Sequence, residues 1–135
     1  MEIKRFFLIG LCIILFVTGC SSTAKKTSDE VIAAFKAAGL EAESAGAMTK
    51  DDYGMAPFVC KGTRFLIASL GEDSGGRIYI CDNTKDRDSL AKYYQALGKA
   101  SAMFFSWVFV KGSVVVQING DLQEDLARKY EQAIP

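Results

Sequence analysis

Residues 104–120 read FFSWVFVKGSVVVQING, and the two ways of folding this apolar run lead to different molecules. A membrane-spanning helix needs about 20 consecutive, predominantly apolar residues and makes a central charge expensive. Here Lys111 and Gly112 stand in the middle, with Ser106, Ser113 and Gln117 spaced through the flanks. A β-hairpin makes the opposite demand, a glycine-bearing turn between two runs rich in Val, Phe and Trp. With Lys111-Gly112 as a two-residue loop, Val110 faces Ser113, Phe109 faces Val114, Trp107 faces Val116 and Phe105 faces Ile118. The side-chain period of two then gathers Phe105, Trp107, Phe109, Val114, Val116 and Ile118 on one face, which is expected to be core. The opposite face carries Val108 and Val115 among Ser106, Gln117 and Asn119, and this half-polar set is a candidate partner surface.

The rest of the domain is read outward from that hairpin. Ser28 is placed to cap a helix over residues 29–39, where Val31, Ile32, Phe35 and Ala38 share a face and Gly39 ends the run. Leu40–Ser44 reads as a short extended piece, followed by a long connection broken by Gly46, Gly54 and Pro57. Strand character returns at residues 58–61 and 63–70, turns at Gly71–Gly76 and comes back over 77–82. Leu90, Tyr93, Tyr94 and Leu97 predict a helix over 89–99. Leu122, Leu126, Tyr130 and Ile134 predict a closing helix capped by Asn119 or Asp121. AAFKAAGLEA and AKYYQALGKA both place an aromatic residue four before a glycine, a pattern that fits a duplicated unit or simply two amphipathic helices. The expected order is helix, hairpin, helix, hairpin, helix. It predicts one α+β domain over residues 29–135, with a four-stranded antiparallel sheet and its helices on one face.

The first residues carry a different signal. Lys4 and Arg5 precede FFLIGLCIILFV, an apolar stretch too short for a comfortable membrane span and suited to a secretory signal. It ends in Val17-Thr18-Gly19-Cys20, which resembles the lipobox of bacterial lipoproteins. That resemblance implies removal of residues 1–19, a covalent diacylglycerol on the Cys20 sulfur with palmitate-type acyl chains, and no other cofactor. Each buried methylene contributes about 0.8 kcal/mol, so two chains hold a protein on a bilayer without a spanning helix. Residues 20–28 then form a polar tether, in which Lys25 and Lys26 add attraction to anionic headgroups. The domain beyond is similar to small uncharacterised lipoproteins of Gram-positive bacteria, which implies a place on the extracytoplasmic face of the cell membrane and names no activity.

Charge and composition exclude several chemistries. The 16 Lys and Arg are matched by 16 Asp and Glu, leaving no basic field to recruit nucleic acid. The chain contains no His, which removes Ser-His and Cys-His nucleophiles and most zinc hydrolase sites. Residues 73–76 spell DSGG and resemble the nucleophile loop of trypsin-like proteases, but with no base for Ser74 the stretch reads as a hairpin turn. Asp82–Asp88 alternates oxygen-bearing residues as calcium loops do. Arg87 stands where such a loop needs glycine, so no metal site is expected. With the leader removed and Cys20 lipidated, Cys60 and Cys81 are the remaining thiols. Outside the cytoplasm an even pair suggests a disulfide, while their apolar flanks equally suit two buried free thiols. Asp51 and Asp52 form a carboxylate pair in a loop beside Tyr53 and Met55, residue types favoured at interfaces. These observations favour a non-enzymatic binding or interaction module of the envelope with a protein partner. The alternatives are a small hydrolase using Ser74 or Asp51/Asp52, or an accessory subunit of an envelope stress or conjugation complex.

Overall fold

A computed structural model describes residues 25–135; the expected leader over residues 1–19, Cys20 and the first residues of the expected tether lie outside the described part. Helix α1 spans Ser28–Ala37, followed by strand β1 at Glu43–Ala47, β2 at Lys61–Leu66 and β3 at Gly75–Ile80. Helix α2 (Thr84–Ala100), strands β4 (Ser106–Lys111) and β5 (Val114–Asn119), and helix α3 (Glu124–Ala133) complete the chain. Short 3-10 turns lie at Lys50–Tyr53, Ala68–Leu70 and Ala102–Phe104.

The α+β class and the antiparallel sheet agree with the sequence expectation, but the sheet has five strands, in the order β1-β2-β3-β5-β4. The extra strand is β1, ESAGA, which pairs antiparallel with β2 at one edge. All five of its residues are exposed, so it has no apolar alternation to announce it. Ser44 adopts a left-handed φ of +48°, and the register shifts between Glu43 and Gly46. Such an edge forms because β2 offers unpaired backbone groups, not because its own side chains demand it.

The hairpin β4–β5 is present, with its loop one residue further on than expected. Lys111 pairs with Val114, Phe109 with Val116 and Trp107 with Ile118, leaving Gly112-Ser113 as the turn. Gly112 takes a φ of +56°, a conformation glycine adopts without steric cost. Each β4 residue therefore meets a partner two positions further along β5 than a Lys111-Gly112 loop would give. A shift of two preserves side-chain parity, so the faces are those read from the sequence. Trp107 is half-buried and donates its indole N–H to the Leu122 carbonyl at 2.9 Å.

The helices lie on both faces of the sheet, contrary to the one-face expectation. On one side α1 and α3 cover Phe65, Ile78, Phe109, Val116 and Ile118, with Val31, Phe35, Ala127 and Tyr130 facing them. On the other side α2 covers Tyr79, Val115 and Cys81 with Leu90, Ala91 and Tyr94. The cause is visible in β5, whose residues Val114–Ile118 are all buried. A strand apolar on both faces needs cover on both.

The first two helices start with ordinary side-chain caps, whereas α3 begins after Gln123 with no side-chain cap, so neither Asn119 nor Asp121 caps it. Thr27, not Ser28, caps α1: its hydroxyl accepts from the Glu30 N–H at 3.2 Å and Glu30 returns a bond to the Thr27 N–H at 2.8 Å. The α2 cap is Asn83, whose side chain accepts from the Asp86 N–H at 2.8 Å, so α2 begins well before the predicted Ser89.

Cys60 and Cys81 form a disulfide joining the entry of β2 to the exit of β3. With the cysteines 21 positions apart, cross-linking lowers the entropy of the unfolded chain, a stabilisation of about 3 kcal/mol. The double variant Cys60→Ser/Cys81→Ser should lose about that much in denaturant melts. A second test addresses the two-sided burial. Val110 and Val115 are cross-strand partners on the same face, yet Val110 is 43% exposed and Val115 is 0%. Val115→Lys should unfold the domain, whereas Val110→Lys should leave its stability within about 0.5 kcal/mol, both read by denaturant melts.

Candidate functional site

On the α2 side of the sheet the cross-strand rows alternate in character. Tyr79 and Val115 form one apolar row; the next contains Arg64 of β2, Arg77 of β3, Gln117 of β5 and Val108 of β4, directly paired in register. Side chains at successive partners of one row stand close together on one face. Two arginine side chains therefore leave neighbouring strands side by side, Arg64 reaching to the Asp73 carbonyl and Arg77 to Gln117. They line a cleft of about 580 Å³ bounded by Tyr94 and Leu97 of α2, the turn 102–104, Phe105 and the β5–α3 junction at Asn119–Asp121.

The two arginines differ in how their charges are met. Arg64 is exposed; it donates from Nη2 to the Asp73 carbonyl at 3.0 Å and lies 3.9 Å from the Asp73 carboxylate, itself solvent-facing. Arg77 is half-buried and donates from Nη1 to the neutral Gln117 side-chain oxygen at 3.3 Å. Its Nε is enclosed and has no hydrogen-bond partner among the described residues. Nor does any carboxylate among them lie within ion-pairing distance of Arg77. A partly desolvated cation answered by one neutral acceptor is under-compensated, which suits it to an incoming negative group.

Apolar side chains flank these donors. Met103 is 85% exposed, Phe104 57% and Phe105 43%, three consecutive large residues at the mouth of the cleft. Phe105 is held by its ring, edge-on to Trp107 at 5.1 Å, and by Gly120. A Cβ on Gly120 would lie 2.3 Å from the Phe105 carbonyl oxygen, so only glycine lets β4 and the β5–α3 junction approach this closely.

Behind the cleft sits a tyrosine cluster. The Tyr79 and Tyr94 hydroxyls are hydrogen-bonded at 2.5 Å, and the Tyr53 ring lies 5.6 Å from that of Tyr79. Burial, followed by the bond to Tyr94, pushes the Tyr79 phenol far above its ordinary value, so it stays neutral and serves as a fixed polar brace.

The residues singled out from sequence are dispersed. Tyr53 is buried with its hydroxyl bonded to the Cys60 carbonyl, and Val115 is buried under α2, so neither presents a partner surface. Val108 is partly buried against the α2-side cluster, while Met55 is 91% exposed. Ser74 precedes β3 in the β2–β3 loop, and its hydroxyl makes no hydrogen bond to a base among the described residues. Asp52 is a cap: it accepts from the Thr49 N–H at 2.5 Å and the Thr49 hydroxyl at 2.8 Å. Those bonds, aided by the charges of Arg64 and Arg77, hold its carboxyl below the usual carboxylate range. It is thereby biased away from the raised pKa a general acid needs. Among the described residues no cluster of His, Cys, Asp and Glu could hold a metal ion, and no helix is long and apolar enough to cross a membrane.

Sequence reading missed the Arg64–Arg77 pair because the two lie in different strands and no local spacing joins them. The one usable signal was an arginine inside each of two otherwise strand-like runs.

The two ends of the sheet differ. Lys25 pairs with Asp82, and Lys25 and Lys26 border a surface depression with Ala47, Lys61, Thr63 and Ile80, at the end where β2 begins and β3 finishes. The cleft includes Gly75, Ser106 and Asn119, which mark the opposite end. The chain matches no family model, no curated protein and no solved structure.

Because the depressed Asp52 pKa comes first from the Thr49 bonds, this carboxylate stabilises the folded state above its unfolded pKa of about 3.9. The contribution is lost as pH falls through the lower folded value. Thr49→Val should raise the Asp52 titration midpoint, followed by carboxyl NMR, by more than Arg77→Gln does.

Proposed function

We propose that this protein is a bacterial lipoprotein, anchored through diacylglycerol on Cys20 to the extracytoplasmic face of the membrane, whose domain is a non-enzymatic binding module. The observation that carries the binding role is the cleft at Arg64 and Arg77. It combines two cationic side chains with an exposed apolar rim.

The anchoring half of the proposal is supported by Val17-Thr18-Gly19-Cys20 and the polar residues that follow it. Lys25 and Lys26 enter the domain at the end of the sheet away from the cleft. A tether leaving there turns the binding surface outward from the bilayer, where a partner or solute in the envelope reaches it. The Cys60–Cys81 bridge is in keeping with an oxidising compartment.

Two measurements test the halves separately. Cys20→Ala should abolish incorporation of labelled palmitate, and normal labelling of that variant would sink the anchor. For the module, a photoreactive residue replacing Phe104 in cells should yield discrete adducts that the same probe at exposed Lys92, on α2, does not. Hydrolysis of generic ester or amide substrates by the purified protein, lost in Ser74→Ala or Asp52→Asn, would replace the binding role with an enzymatic one.

A further inference from the structure

We infer that the cleft recognises a carboxylate carried on an apolar body, with the anion held between Arg64 and Arg77 and the body resting on Met103 and Phe104. This rests on the cleft being a binding site, and it names the chemical class the site takes.

The first support is the unmet charge of Arg77. Its guanidinium is half-buried, and among the described residues its one hydrogen-bond partner is the neutral Gln117 oxygen at 3.3 Å and its enclosed Nε has no acceptor. Arg64 lies directly across the β2–β3 ladder and is held in place by the Asp73 carbonyl. Planar guanidinium forks match a planar carboxylate through parallel N–H···O bonds, more specifically than a lysine ammonium would.

The second support is the charge balance, which selects among anions. Asp73 and Asp121 also line the cleft and the Asp52 carboxylate feels both arginines, so the charges around it leave no net positive field. A dianion such as a phosphate monoester would add two charges to that balance and be repelled by the carboxylates, whereas a carboxylate adds one and still finds the Arg77 donor that is left unfilled among the described residues. The third support is the rim: Met103 and Phe104 are large apolar side chains exposed within the same cleft, available to an aliphatic or aromatic group beside the anion.

The carboxylate has two sources, a free apolar acid or the C-terminus of a peptide, and the probes separate them. The full chain, reconstituted in lipid nanodiscs, is titrated calorimetrically with N-acetyl-phenylalanine, its C-terminal amide, phenyl phosphate, and an acetylated tetrapeptide ending in phenylalanine as acid or amide. The acid should bind at least about tenfold more tightly than its amide, a difference of 1.4 kcal/mol. Arg77→Gln should remove that preference, and Phe104→Ser should weaken the acid and the amide alike. Gain of a further factor of about ten on going from the single residue to the tetrapeptide acid identifies a peptide terminus; equal affinity identifies a free acid. Near-UV circular dichroism checks that Arg77→Gln is folded, and Arg64→Gln gives a second reading of the same charge if it is not. Equal binding of acid and amide, no binding of either, or tighter binding of phenyl phosphate would overturn the inference. If the cross-linking at position 104 still yields its adducts, such a result removes the carboxylate but leaves the binding module. Loss of both removes the site.

Discussion

Strand β5 is apolar on both sides, and the architecture follows from covering it. Val114, Val116 and Ile118 need one apolar layer and Val115 needs another. The chain supplies α1 and α3 to the first face and α2 to the second. This requirement draws α2 across the sheet, stacks Tyr94 over Tyr79 and creates the space between α2's C-terminal half and β4–β5. Had the second face been solvated, as its Gln117 and Asn119 suggest, there would be no cleft.

Placing arginines in the middle of such a sheet is costly, because a desolvated charge must be met by a partner or an ion. The domain meets Arg64 at its exposed end with Asp73 and leaves Arg77 with a neutral amide. Stability alone would favour an apolar residue on β3 opposite Gln117. That a cation stands there, beside another and under a rim of exposed Met103 and Phe104, sets this region apart from the rest of the surface. The proposed recognition of an apolar acid would give that cost a purpose.

The sheet also has a direction. At one end the disulfide clamps β2 to β3 beside Lys25, Lys61 and Ile80; at the other the glycine-bearing β5–α3 junction shapes the cleft. A clamped end beside Lys25 and Lys26 and a shaped end away from them suit the proposed tethered binding domain. The β2–β3 ladder holds the backbones of Arg64 and Arg77 in register.

The sequence by itself determined the local grammar: three helices, the β4–β5 hairpin and the face parity of Trp107, Phe109, Val114 and Val116. These follow from periodicity and capping, which act within a few residues. It also carried the Val17–Cys20 pattern, which no fold is needed to recognise. Tertiary structure decided the rest. β1 pairs at the open edge of β2, and its ESAGA composition, overlapping the expected extended piece at Leu40–Ser44 by two residues, has no apolar alternation to mark it as a strand. The Gly112-Ser113 loop won over Lys111-Gly112 because pairing along the whole ladder, rather than the turn alone, sets register. The pairing of Cys60 with Cys81, the burial of Tyr53 and Val115, and the meeting of Arg64 with Arg77 depend on strands distant in sequence becoming neighbours. Periodicity tells which way a side chain points along its own strand; only packing tells what it points at.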